Sequence, residues 1–216
     1  MNGTISLPAI INNDEKLYKG NLIWYFRIIF YQAQNVLNPF HNFRHMFHVL
    51  CQCYDACKFY SAELTPEKIR VILIAAMFHD FDHCGMMGND DLNIERSIRA
   101  LNKHQDVVDT PILDDIISLI RVTEFPYKIP HESLDLSGLI LRDADMTQAL
   151  DKAWIQEVVF GLASEWRKTP AETLCLQKRF LQNLRFYTKW AQERFPQAEI
   201  NAKVKEVLEL LVLIQK

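Results

Sequence analysis

An eight-residue apolar run, Val71-Ile72-Leu73-Ile74-Ala75-Ala76-Met77-Phe78, stops on His79-Asp80 and is followed by Phe81-Asp82-His83-Cys84-Gly85. A helix built from such a run has no polar face and belongs in a core. The imidazole and carboxylate at its end are then buried as well, which is unfavourable unless each finds a charge partner or a metal. Two further segments offer partners. His41, His45 and His48 recur at i, i+4 and i+7, one face of a helix. Downstream, Leu139-Ile140-Leu141-Arg142-Asp143-Ala144-Asp145 sets Asp145 after another apolar stretch. His45, His79, Asp80 and Asp145 thus make a His-His-Asp-Asp set drawn from three helices.

The scaffold reads as all-α. Only 6 glycines and 8 prolines interrupt long stretches of 3.6-residue apolar period. Asn21 to Leu37 reads as one helix, with Pro39 past its end, and His45 to Tyr60 as the next. Thr65-Pro66 supplies a cap and a first-turn proline for the helix ending at His79, and Thr110-Pro111 reads as the same device before Ile112 to Val122. Phe81 to Asn89 reads as a loop leading into a helix over Asp91 to Asn102. Phe125 to His131 is a second loop. Helices follow over Leu136 to Leu150, Ala153 to Arg167, Ala171 to Phe195 and Ala198 to Ile214. At 216 residues and 49% hydrophobic content, the chain suits one core and one domain spanning 1–216.

Composition narrows the partners. A net charge of −3, with Lys103, Arg121, Lys168, Lys178, Arg179 and Arg185 scattered, gives no basic face for nucleic acid. The 5 cysteines form no Cys-x-x-Cys pair and suit a reducing compartment. No apolar run reaches membrane-spanning length, and Met1 to Ile5 does not open a signal peptide. A soluble, cytoplasmic protein that binds neither nucleic acid nor membrane is the expectation.

The order His45, His79-Asp80, Asp145 resembles the HD superfamily of metal-dependent phosphohydrolases. More closely, His41-Asn42-x-x-His45 with Val49, then His79-Asp80-x-Asp82-His83-x-Gly85, is similar to the class I cyclic nucleotide phosphodiesterase signature. Gln177-x-x-Phe180, with Trp190 beyond, is similar to that family's base-holding Gln and Phe. The likeness runs in blocks from about Asn38 to Trp190. It implies an HD-type helical bundle and two divalent ions (Zn, Mg, Mn or Fe), bridged by a catalytic Asp80. His45, His79 and Asp145 would hold the tighter ion, and His41 would protonate the leaving 3′ oxygen. The substrate implied is a small nucleotide, a 3′,5′-cyclic one.

Several positions stay open at this level. His83 and Asp82 would orient ligands and water, although Asp82 equally suits loop capping. Glu95 either holds water at the second ion or lies on a solvated helix face, and Glu124 reads as a loop cap. His48 stands where the family usually has Asp and reads as packing or, less readily, as an extra donor behind the ligands. Gln177 and Phe180 either bind a base or belong to the core, and Phe186-Tyr187 replaces the family's usual Pro-Leu. A nucleotide phosphomonoesterase would need the four ligands but not Gln177 or Phe180. A non-catalytic nucleotide-sensing module would tolerate loss of a ligand, and none is lost.

Overall fold

The computed structural model describes residues 6–12, 14–88 and 90–214. The opening pentapeptide and Asn89, the expected end of the glycine loop, lie outside these. All regular secondary structure among the described residues is helical, with no strand, and no helix among them is long and apolar enough to cross a membrane.

The apolar run forms the axis. Helix α4 (Pro66–Phe78) begins at Thr65, whose side chain accepts the Lys68 N–H, and every residue from Ile69 to Phe78 is buried. Around it pack α2 (Ile23–Gln32), α3 (Phe43–Phe59), α5 (Asp90–His104), α6 (Leu113–Arg121) and α7 (Leu136–Met146). Enclosure on all sides is what an apolar helix surface demands. Buried apolar residues from Ile10, in α1 (Leu7–Asn12), to Leu211 form one contiguous cluster. The last part of the chain holds α8 (Gly161–Glu165), α9 (Pro170–Asn183), α10 (Lys189–Arg194) and α11 (Gln197–Ile214), with α11 packed on α9.

The one charge inside α4's buried stretch is fully partnered. Arg70 donates from Nε and Nη2 to Asp109 at 2.6 and 2.7 Å, and from Nη1 to the Lys19 and Asn21 carbonyls at 3.1 Å each. Tyr25 adds a hydrogen bond to Asp109 at 2.7 Å. This knot joins α2, α4 and the segment before α6, and so fixes the far end of the helix whose other end carries His79.

Helix boundaries depart from the sequence expectations where side chains intercept the backbone. The helix expected to Leu37 stops at Gln32, with Ala33 extended. Gln34 N–H there donates to Asp82 Oδ1, and Asn35 turns inward to the His41 and Asp80 carbonyls. Thr110-Pro111 does not cap α6. Asp106 caps a 3₁₀ segment, Val107–Ile112, that contains Pro111. Past Met146, Thr147–Leu150 tightens into a 3₁₀ turn, and Ile155–Phe160 is a π-helix leading into α8. The helix expected over Ala171 to Phe195 breaks after Asn183. Asp143 accepts the Tyr187 and Thr188 N–H groups and the Thr188 hydroxyl, so those donors leave the helical ladder.

Removing one partner of a buried ion pair strands the other's charge, at about 3–5 kcal/mol. Asp109→Ala should therefore lower unfolding free energy by about that much in guanidinium titrations. A loss below about 1 kcal/mol, the worth of an exposed pair, would show that the knot is dispensable.

Candidate functional site

Four side chains converge at the C-terminal end of α4. Asp80 Oδ2 lies 3.2 Å from His45 Nε2 and 3.3 Å from His79 Nε2. Asp145 Oδ1 lies 3.0 and 3.6 Å from the same two nitrogens, which are 3.4 Å apart. Each histidine spends its other nitrogen elsewhere. His79 Nδ1 meets the Ala76 carbonyl at 2.9 Å, and His45 Nδ1 meets Gln148 Oε1 at 2.7 Å. With those nitrogens donating, both Nε2 atoms present lone pairs inward; His45, His79 and Asp145 offer atoms that all lie within 4.8 Å of one another, and Asp80 borders the two histidines.

Neutral imidazoles and carboxylates brought this close suit a cation between them, with His45, His79 and Asp145 the mutually close set and Asp80 beside it. Atoms about 2.1 Å from a common centre stand about 3.0 Å apart as octahedral neighbours and about 3.4 Å apart at tetrahedral corners, which matches the separations above. Asp80 Oδ2 is sealed from solvent without a hydrogen-bond partner. Mixed imidazole and carboxylate donors suit Zn, Mn, Fe or Mg. The residues therefore fit a divalent metal. Their electrostatics agree: burial alone would lower the His45 pKa, but the Asp145 and Asp80 carboxylates raise it to about 9. The same balance, with Asp80's charge foremost among the raising influences, holds His79 well above its usual value. Burial opposes ionisation of Asp80 and Asp145, yet the facing histidines bring both below the carboxylate range.

The loop after α4 is pinned by polar side chains. Asn35 Nδ2 reaches the Asp80 carbonyl at 2.8 Å and its Oδ1 accepts Asp82 N–H at 3.0 Å. Ser97 Oγ bonds the His79 and Phe81 carbonyls, and Asn38 bonds the His83 carbonyl. These partners satisfy carbonyls that a helix end leaves open.

His41 is not on α3, as the i, i+4, i+7 spacing implies. Asn42 is the N-cap, accepting Arg44 and His45 N–H, so His41 lies in the turn before the helix. It is held there by Glu165 of α8. One Glu165 oxygen accepts the Phe40 and His41 backbone N–H groups at 2.7 and 2.8 Å, and the other meets His41 Nδ1 at 2.6 Å. Burial opposes the Glu165 charge, but these hydrogen bonds outweigh it and lower its pKa. Gly161 makes the approach possible: a Cβ there would lie 2.9 Å from the Pro39 carbonyl oxygen. His83 stacks on the His41 ring at 3.7 Å, and burial, then His41, pushes its pKa down to about 3.

A cavity of about 180 Å³ opens beside the cluster. His41, His45, Asp80, Asp90 and Asp145 line one part of it, and Trp166, Gln177 and Phe180 also contribute to its wall. Gln177 is 5% exposed, and its Oε1 has no hydrogen-bond partner. Trp190 is not in the lining. It is buried, with its indole N–H on Asp55 at 2.8 Å.

The remaining expected residues lie elsewhere. Glu95 is exposed and pairs with Arg121 at 2.7 Å, because α5 turns Asn93, Ile94 and Ser97 inward. Asp90, on that helix's first turn, lines the cavity instead, its pKa raised mainly by burial. Asp82, at φ 60°, ties the loop to Gln34. Glu124 pairs with Lys128. His48 does more than pack: its Nε2 bonds Thr147 Oγ1 at 2.8 Å, and burial, then His45, pushes its pKa down to about 4, leaving it neutral. Glu165, Gln148 and Asp90 escaped the sequence reading. The available hint for Glu165 was a carboxylate in the apolar-periodic stretch from Ala153 to Arg167.

Residues 40–125 match the family model of the 3'5'-cyclic nucleotide phosphodiesterases. That stretch, under half of the chain, is similar to the catalytic segment of those phosphodiesterases. The matched family is one of phosphodiester hydrolases, and the matched segment contains His41, His45, His79 and Asp80. Asp145, Glu165, Gln177 and Phe180 lie beyond it and join the phosphodiesterase-like segment through the fold. No curated protein matched the chain.

A cation bound only by the folded state stabilises it by mass action. The chelator-stripped phosphodiesterase-like protein should gain thermal midpoint on titration with Mn²⁺ or Zn²⁺, and Asp145→Asn should shrink that gain. An equal gain in both proteins would place the binding elsewhere.

Proposed function

We propose that this chain hydrolyses a 3′,5′-cyclic nucleotide to the 5′-monophosphate with two divalent ions. The observation that carries the reading is one cavity holding both a charged end, with His41, His45, Asp80 and Asp145, and a buried, unpartnered amide oxygen at Gln177. His45, His79, Asp80 and Asp145 would hold one ion, and Asp80 would share the second. Such ions, when bound, polarise a phosphoryl group and lower the pKa of coordinated water.

The chain's own residues do the rest. Glu165 takes His41 Nδ1–H, which leaves Nε2 to deliver a proton to the 3′ oxygen as its bond to phosphorus breaks. His83 keeps the His41 ring from turning. Gln177 offers both donor and acceptor to a base edge, and Phe180 supplies a face for the ring. The described chain acts as one domain, in keeping with its continuous buried cluster. Cytoplasmic residence is the compartment that suits its free cysteines.

His41→Ala should keep the metal and lose roughly 10²–10⁴-fold in turnover, the usual worth of a positioned acid. Metal content by mass spectrometry checks this, and loss of metal along with turnover would make His41 a ligand. For the base end, Gln177→Ala and Phe180→Ala should raise KM for a cyclic nucleotide while sparing hydrolysis of bis-p-nitrophenyl phosphate. Equal effects on both substrates would return these residues to the core. Turnover of a 5′-nucleotide but of no cyclic one would overturn the assignment in favour of a phosphomonoesterase.

A further inference from the structure

His45 can serve a cation only through Nε2, so the proton of the neutral ring must sit on Nδ1. The group facing Nδ1 is not a carboxylate or a backbone carbonyl but the amide of Gln148. An amide is ambiguous: turned by half a rotation, it would present its NH₂ to Nδ1 and favour the wrong tautomer. Something must fix its sense.

Glu157 does so. Gln148 Nε2 donates to Glu157 Oε2 at 3.0 Å, and a carboxylate has no proton to offer in return. The rotated amide would set its own oxygen against that carboxylate. The second Glu157 oxygen accepts from Arg44 Nη1 at 2.6 Å. Arg44 precedes His45 on α3, so the chain of contacts closes on itself: α3, the 3₁₀ turn after α7, the π-helix, and α3 again. Gln148 is 3% exposed, so its amide has little water to turn to.

We propose that Gln148 and Glu157 are positioning residues that hold His45 as the Nδ1-protonated tautomer and thereby set the affinity of the metal centre. The inference rests on the proposed metal site and adds its control. The same helical segment then governs both histidines. Glu157, Gly161 and Glu165 follow at four-residue steps; the first fixes His45 through Gln148, the last holds His41, and the glycine between them admits the Pro39 carbonyl.

The experiment is calorimetric titration of chelator-stripped protein with Mn²⁺, with the thermal midpoint of each metal-free protein measured alongside. Gln148→Leu and Glu157→Leu should each weaken Mn²⁺ binding by about 10–100-fold, the usual cost of losing a partner behind a metal ligand. Glu157→Gln keeps the shape but offers an NH₂ as readily as an oxygen, so it no longer fixes the sense of the Gln148 amide and should lose part of the affinity. The metal-free midpoints should stay close to wild type. Unchanged affinity in both leucine variants overturns the proposal, as does wild-type affinity in Glu157→Gln or an affinity loss that follows a fall in the metal-free midpoint. Wild-type protein that binds no Mn²⁺ overturns the metal centre itself, a result distinguishable from failure of the relay.

Discussion

Two imidazole lone pairs and two carboxylates pointed at one volume form the constraint on which this molecule turns. Without a metal ion the carboxylates favour protonated imidazoles, as the raised histidine pKa values show, so a bound metal must displace those protons. The scaffold must hold these groups from behind. It does so by giving the histidines' second nitrogens and the loop carbonyls partners: the Ala76 carbonyl for His79, Gln148 for His45, and Asn35, Asn38 and Ser97 for the loop. A site braced in this way arrives in shape before anything binds, which is the condition for strong electrostatic stabilisation in a dry cavity.

The brace begins at the opposite end of the central helix. Arg70 and Asp109 fix where α4 starts, its apolar surface fixes what surrounds it, and its length fixes where His79 emerges. Each helix end that contributes to the centre is stopped by a side chain rather than by proline or glycine alone. Asn42 starts α3 just before His45, and Thr147 closes α7 just after Asp145 by donating to the Ala144 carbonyl.

What the sequence made legible follows from this physics. Polar groups at the ends of strongly apolar helices announce themselves, because no packing role suits them; the clustering of His45, His79, Asp80 and Asp145 was readable for that reason. The helical class was readable from period alone. The helix ends after Gln32 and Asn183 were not, since they are set by Asp82 and Asp143, which lie far away in sequence. Glu165 and Gln148 escaped for the same reason, being 124 and 103 residues from the histidines they hold. Glu95 misled because its spacing from the glycine loop suits a site residue, whereas the rotation of α5 puts Asp90 at the cavity.

The break after α9 bears on the other end of the cavity. Asp143 collects the Tyr187 and Thr188 N–H groups two residues before Asp145, so one helix ties the chain beyond the Gln177 helix to the His-Asp cluster. Burial raises the Asp143 pKa to about 6 even against those hydrogen bonds, a measure of how far water is excluded there. A charged end and an unpartnered amide held by one rigid body define a length as well as a chemistry. Gln177 has an acceptor that nothing in the protein satisfies, and a buried acceptor left unpaired favours whichever ligand brings a donor to it. Discrimination at such a site would rest less on attraction to the right ring than on the cost of burying the amide against a ring with no donor to offer.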